Sequence, residues 1–71
     1  MTLPEYEVGQ YLTIYCGENE GCCFTVKGRE WRPEFWTGTH RTDAGWWYDT
    51  GSYGWRSERT ICTEAHARMF P

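Results

Sequence analysis

Trp46 and Trp47 stand side by side in the run Gly45-Trp46-Trp47-Tyr48-Asp49-Thr50-Gly51-Ser52-Tyr53-Gly54-Trp55, which holds three of the chain's five tryptophans and two of its five tyrosines. Aromatic residues favour strands, and a short glycine-containing connection between two such runs reads as a hairpin loop. Successive side chains of a strand point to opposite faces, so the two indoles cannot both enter one small core. Either Trp46 and Tyr48 face inward with Trp47 and Asp49 outward, or the reverse. Each choice leaves a large ring at the surface.

The interior has little else to use. Leu3, Val8, Leu12, Ile14, Val26 and Ile61 are the only branched aliphatic side chains in 71 residues. Six of them cannot fill a domain core, and a chain of this size buries only roughly 60% of its unfolded surface. Aromatic rings, each removing about 150–250 Å² from water, have to supply much of the interior. With 18% of residues aromatic there are more rings than such a core needs, so some lie outside it.

Along the chain, Thr2–Gln10 reads as an entry segment punctuated by Pro4 and Gly9. A first strand is expected at Tyr11–Cys16, with Leu12, Ile14 and Cys16 on one face and Tyr11, Thr13 and Tyr15 on the other. Gly17–Gly21 is a turn. Cys22–Trp31 reads as one long strand, Cys22, Phe24 and Val26 lining one side and Cys23, Thr25, Lys27 and Arg29 the other. Gly28 marks a bend that carries this strand from one sheet to another. Pro33 ends it. Glu34–Thr39 is a weaker strand around Phe35 and Trp36, and His40–Gly45 reads as a polar loop. The aromatic hairpin follows, with strands near 45–50 and 54–62. Thr63 caps a helical turn over Glu64–Met69, in which Ile61, Ala65 and Met69 would share a face. Five short strands with glycine turns predict an all-β domain spanning residues 1–71: a small bent barrel or a two-sheet sandwich with a short C-terminal helical turn.

Tyr6-Glu7-Val8-Gly9-Gln10-Tyr11-Leu12 resembles the opening of SH3-like barrels, where an apolar residue and Gly lead into the first strand. Gly45-Trp46-Trp47-Tyr48-Asp49, a turn, and then Ser57-Glu58-Arg59-Thr60-Ile61 are similar to the end of such barrels. The resemblance spans Glu5–Ile61 and implies a five-stranded SH3-like barrel; a fold of this kind carries no function by itself. The chain lacks the Val-Gln-Ile-Tyr motif that lines the shared pore of the similarly small type B dihydrofolate reductases. It also lacks the aromatic-box pattern of methyl-lysine readers.

The formal charge of −3 argues against general attraction to phosphate backbones. Its distribution is uneven. Glu5, Glu7, Glu18 and Glu20 fall in the first twenty residues without a base, whereas Lys27 and six arginines follow among a similar number of acids. Met1–Gln10 lacks the apolar centre of a signal peptide, and no run is long enough to cross a membrane. The expectation is a cytoplasmic chain with Cys16, Cys22, Cys23 and Cys62 reduced. These thiols, with His40 and His66, do not show the paired spacing of a structural zinc site, and read as small hydrophobes. His40-Arg41-Thr42-Asp43 and Ser57-Glu58 contain catalytic residue types without a recognised arrangement, so no enzyme, cofactor or metal is expected.

Arginines interleaved with tryptophans carry the functional expectation. Trp31, Arg32, Trp36, Arg41, Trp47, Trp55 and Arg56 combine the residue types enriched where protein interfaces hold most of their binding energy. The expected function is a non-enzymatic module that presents an aromatic and arginine surface to a protein partner. Its size and lack of catalytic grouping suit a phage or mobile-element inhibitor of a host complex, such as an anti-CRISPR or other anti-defence protein. Two alternatives stay open: single-stranded nucleic-acid binding by the same rings, and a small enzyme that assembles a shared pore by oligomerisation.

Overall fold

A computed structural model describes residues 2–69. They form a small β-rich domain of antiparallel sheets with one short helix. In chain order the strands are β1 (Tyr11–Ile14), β2 (Cys23–Thr25), β3 (Gly28–Arg32), β4 (Phe35–Thr37), β5 (His40–Thr42), β6 (Gly45–Asp49), β7 (Trp55–Ser57) and β8 (Ile61–Cys62). A single 3-10 turn, Glu58–Thr60, separates the last two, and helix α1 follows at Glu64–Met69. One three-stranded sheet runs β2-β1-β8, a second runs β3-β6-β7, and β4 and β5 form a separate two-stranded ribbon. Among the described residues the strands do not close into a barrel.

The alternation in β1 and β2 places Leu12, Ile14, Phe24 and Val26 in the core as the sequence indicates, but Cys16 lies beyond β1 and is exposed, and Thr13 on the opposite face is buried between β2 and β8. Leu12 and Ile14 are fully buried and pack with Phe24 and Val26, while Cys22 lies against them from the edge. The run from Cys22 onward breaks at Val26-Lys27 into two strands, β2 in the first sheet and β3 in the second, so it does pass between sheets. It remains anchored on both sides of the break, where Val26 N–H donates to the Gln10 carbonyl and Lys27 N–H to that of Asp49.

Three expectations need correction. His40–Thr42 is not loop but a strand, paired with Phe35–Thr37 in the register Phe35↔Thr42, Trp36↔Arg41 and Thr37↔His40. Both faces of this ribbon meet solvent, so no apolar alternation marks it. The stretch 54–62 is not one strand: the 3-10 turn interrupts it and redirects the chain to β8, which pairs with β1. Eight short strands therefore stand where five were expected. The helix forms as expected, with Thr63 Oγ1 accepting from His66 N–H at 3.2 Å, but Ala65 and Met69 stay exposed instead of extending the apolar face of Ile61.

The core rings are Tyr6, Phe24 and Tyr48, and none of the five indoles is fully buried. Of the six aliphatics, Leu3 and Val8 are exposed, leaving four for the interior. The tyrosines bring polar groups inward, and each is bonded. Tyr48 Oη donates to Glu58 Oε2 at 2.6 Å and accepts from Tyr6 N–H at 3.3 Å; Tyr6 Oη donates to the Ile61 carbonyl at 3.3 Å. Their rings meet edge to face, 5.6 Å between centroids. The entry segment is thereby fastened across the end of the core, with Glu5 N–H donating to the same Glu58 oxygen.

Candidate functional site

Register in the second sheet decides which aromatic residues face out. Tyr48 is buried, and paired residues share a face, so Arg29 and Arg56, opposite Tyr48, lie on its side with Trp31 and Trp46. The other face carries Glu30 and Arg32 from β3, Trp47 and Asp49 from β6, and Trp55 and Ser57 from β7. Of the two possible arrangements of the hairpin, the chain takes the one with Trp46 inward and Trp47 outward.

On the outer face the guanidinium of Arg32 lies over two indoles, 4.6 Å from the Trp47 ring centroid and 5.3 Å from that of Trp55. Glu30 Oε1 accepts from Arg32 Nε at 2.6 Å and holds the guanidinium in place. Each such contact contributes about 0.5–1 kcal/mol at an exposed site. Together they join side chains of three strands into one surface.

The ribbon presents a second part. Trp36 and Arg41 sit opposite each other and share one of its faces, with Trp36 63% exposed. Arg41 Nη2 reaches Asp43 Oδ1 at 2.8 Å, and Arg59 of the 3-10 turn approaches the other oxygen of Asp43 at 3.7 Å. Between the ribbon, the start of β6 and the 3-10 turn lies a cleft of about 500 Å³; Arg41, Asp43, Trp46, Trp47, Glu58 and Arg59 line it together with Glu5. Trp47 belongs to both parts, to the Arg32 stack and to the cleft wall.

Five of the seven residues singled out in the sequence, Arg32, Trp36, Arg41, Trp47 and Trp55, thus fall on the ribbon, the cleft and the outer sheet face. The other two lie on the core side of that sheet. Trp31 packs edge-on against Trp46 at 5.8 Å, and Arg56 donates from Nε to the Tyr53 carbonyl at 3.0 Å. Trp46 is pinned as well, its Nε1–H donating to the Thr2 carbonyl at 2.7 Å. No family model, no curated protein and no solved structure matches the chain.

Asp43, Glu58 and Arg59 were not singled out as binding residues. Arg41 and Asp43 are near in sequence, but Arg59 joins them only because the 3-10 turn folds toward the ribbon. The strongest proton-affinity shifts belong to two tyrosines of the core. Burial, with Glu5 nearby, pushes the Tyr6 hydroxyl up to about 12; burial, with the hydrogen bond to Glu58, does the same to Tyr48. Both are neutral donors at physiological pH and serve as supports. Among the described residues no cluster of His, Cys, Asp or Glu is arranged to hold a metal ion, and no helix is long and apolar enough to cross a membrane.

All four cysteines are free thiols. Cys23 and Cys62 both pair with Thr13, one from each side. Two strand spacings of about 4.8 Å therefore separate them, beyond the roughly 7 Å that a disulfide spans.

Proposed function

We propose that the chain is a non-enzymatic module that binds a protein partner through Trp36, Arg41, Trp47, Arg32 and Trp55. One observation carries this reading: Trp47 and Trp55 converge on the Arg32 guanidinium at 4.6 and 5.3 Å on the side of the sheet away from the core. Neither ring is needed to fill the interior, which is built from Tyr6, Phe24, Tyr48 and aliphatics. Rings already held by a guanidinium lose little side-chain freedom when a partner covers them, which favours affinity. A net charge of −3 and a single lysine favour a protein partner over a phosphate backbone.

An SH3-like frame is part of the same proposal. The pairing of the first and last strands, and the run that bends from one sheet into the other, support it.

Affinity capture from a cell lysate, with the wild-type chain and with Trp36→Ala/Trp47→Ala, tests the reading. A protein captured by the first and lost from the second supports it. Retention of every captured protein by the double variant refutes it. Quenching of indole fluorescence by single-stranded oligonucleotides, weakening steeply with salt, would move the reading to nucleic acid.

A further inference from the structure

A second groove, of about 400 Å³, runs between the entry segment, the 3-10 turn, β8 and α1. Its floor is apolar, since Tyr6, Ile61 and Cys62 are buried beneath it. Tyr15, 40% exposed, stands at its side with the His66 ring 6.4 Å away. Glu5 and Glu58 stand between this groove and the first cleft and line both. After burial, the charge of Glu5 is the largest influence holding the Tyr6 hydroxyl up at about 12, followed by those of Cys62 and Glu58. That hydroxyl bonds the Ile61 carbonyl, so both negative charges are felt at the groove floor.

Glu58 Oε2 already accepts from Tyr48 Oη and from Glu5 N–H, which leaves Oε1 open. Among the described residues neither glutamate has an ion-pair partner. Arg59 also lines the groove, but its guanidinium is drawn to Asp43, which does not. An apolar trough ending at two uncompensated carboxylates matches a side chain with an apolar stem and a cationic head. A guanidinium fork wants both oxygens of one carboxylate, whereas an ammonium is a point charge with three donors and can use one oxygen from each of two.

We propose that this groove takes a lysine side chain of a partner polypeptide, with the ammonium at Glu5 and Glu58 Oε1 and the methylene stem along Tyr15 and Ile61. The inference goes beyond the aromatic-face reading, because none of Arg32, Trp36, Arg41, Trp47 and Trp55 lines this groove.

Titration of the full chain with the capped peptide Gly-Ala-Lys-Ala-Gly, followed by NMR at the Ile61 methyls and the Tyr15 ring, tests it. The control peptide carries norleucine in place of lysine, which keeps the stem and loses the charge. The lysine peptide is expected to bind at least about threefold more tightly than the control. Glu5→Gln should weaken it by about threefold and leave the urea midpoint unchanged, since the backbone N–H bond to Glu58 stays. Equal binding of the two peptides, full binding by Glu5→Gln, or the same shifts from n-butylammonium at equal concentration would each overturn the proposal. Trp36→Ala/Trp47→Ala should bind the lysine peptide as the wild type does. If that double variant loses its lysate partner while the wild type shows no preference for the lysine peptide, the aromatic-face reading stands and this one falls.

Discussion

The hydroxyl of Tyr48 is the point where the N-terminal segment, the second sheet and the 3-10 turn are joined, and Tyr48→Phe isolates its contribution. The ring stays, so packing is kept; two hydrogen bonds go. The first, 2.6 Å to Glu58 Oε2, is to a charged acceptor, a class worth about 1.5–3 kcal/mol. The second leaves the Tyr6 N–H without its acceptor, and at 3.3 Å it belongs at the weak end, near about 1 kcal/mol. Glu58 keeps the Glu5 N–H at 3.1 Å, which limits the damage. The expected loss is therefore about 2–4 kcal/mol. Domains of this length have only about 4–10 kcal/mol in total, so the melting temperature should fall by about 10–25 °C.

Thermal and urea unfolding measure this change directly. Tyr6→Phe is the control, since it removes only the 3.3 Å bond to the Ile61 carbonyl and should cost about 1 kcal/mol. A double-mutant cycle between Tyr48→Phe and Glu58→Gln should show coupling of at least about 1 kcal/mol. If Tyr48→Phe stays within about 0.5 kcal/mol of wild type, or costs no more than Tyr6→Phe, the hydroxyl does not join these elements and the account of the core is wrong.

Two further predictions concern titration and thiol access. Tyr6 and Tyr48 both titrate near 12 in the folded chain against 10.0 for a free tyrosine, so the unfolded chain loses these protons first. Stability from this source is complete below pH 10 and is lost as pH rises toward 12; urea midpoints should fall across that window, and less steeply in Tyr48→Phe. Alkylation followed by mass spectrometry should label exposed Cys16 first and Cys62 last, by at least about tenfold, because Cys62 is buried and burial raises its thiol's proton affinity. An intramolecular Cys23–Cys62 disulfide formed under native conditions would contradict the strand register.

What could be read from the sequence depended on whether a residue's surroundings repeat along the chain. The strand at Tyr11–Ile14 and the hairpin around Gly51 were legible because their residue types alternate with a period of two, although Thr13, opposite Leu12 and Ile14, is buried as well. Tyr6 was not legible. It sits in an irregular segment, and its burial depends on Tyr48 and Ile61, 42 and 55 residues away. The preference for tyrosine over tryptophan in the core was equally hidden. It arises because Glu58 and the Ile61 carbonyl supply acceptors at the places where two rings end.

The ribbon shows the same limit from the other side. With no face buried, Phe35–Thr37 and His40–Thr42 had no pattern to display, and only pairing makes them strands. Isolated two-stranded ribbons are marginal in water, so this one has to gain from its flanks. The Arg41–Asp43–Arg59 contacts tie its second strand to the 3-10 turn across the cleft. That link is built of exposed ion pairs, which are weak and exchangeable. The contacts that steady the ribbon are thus weak ones that converge on a single carboxylate, so the order of its second strand depends on Asp43.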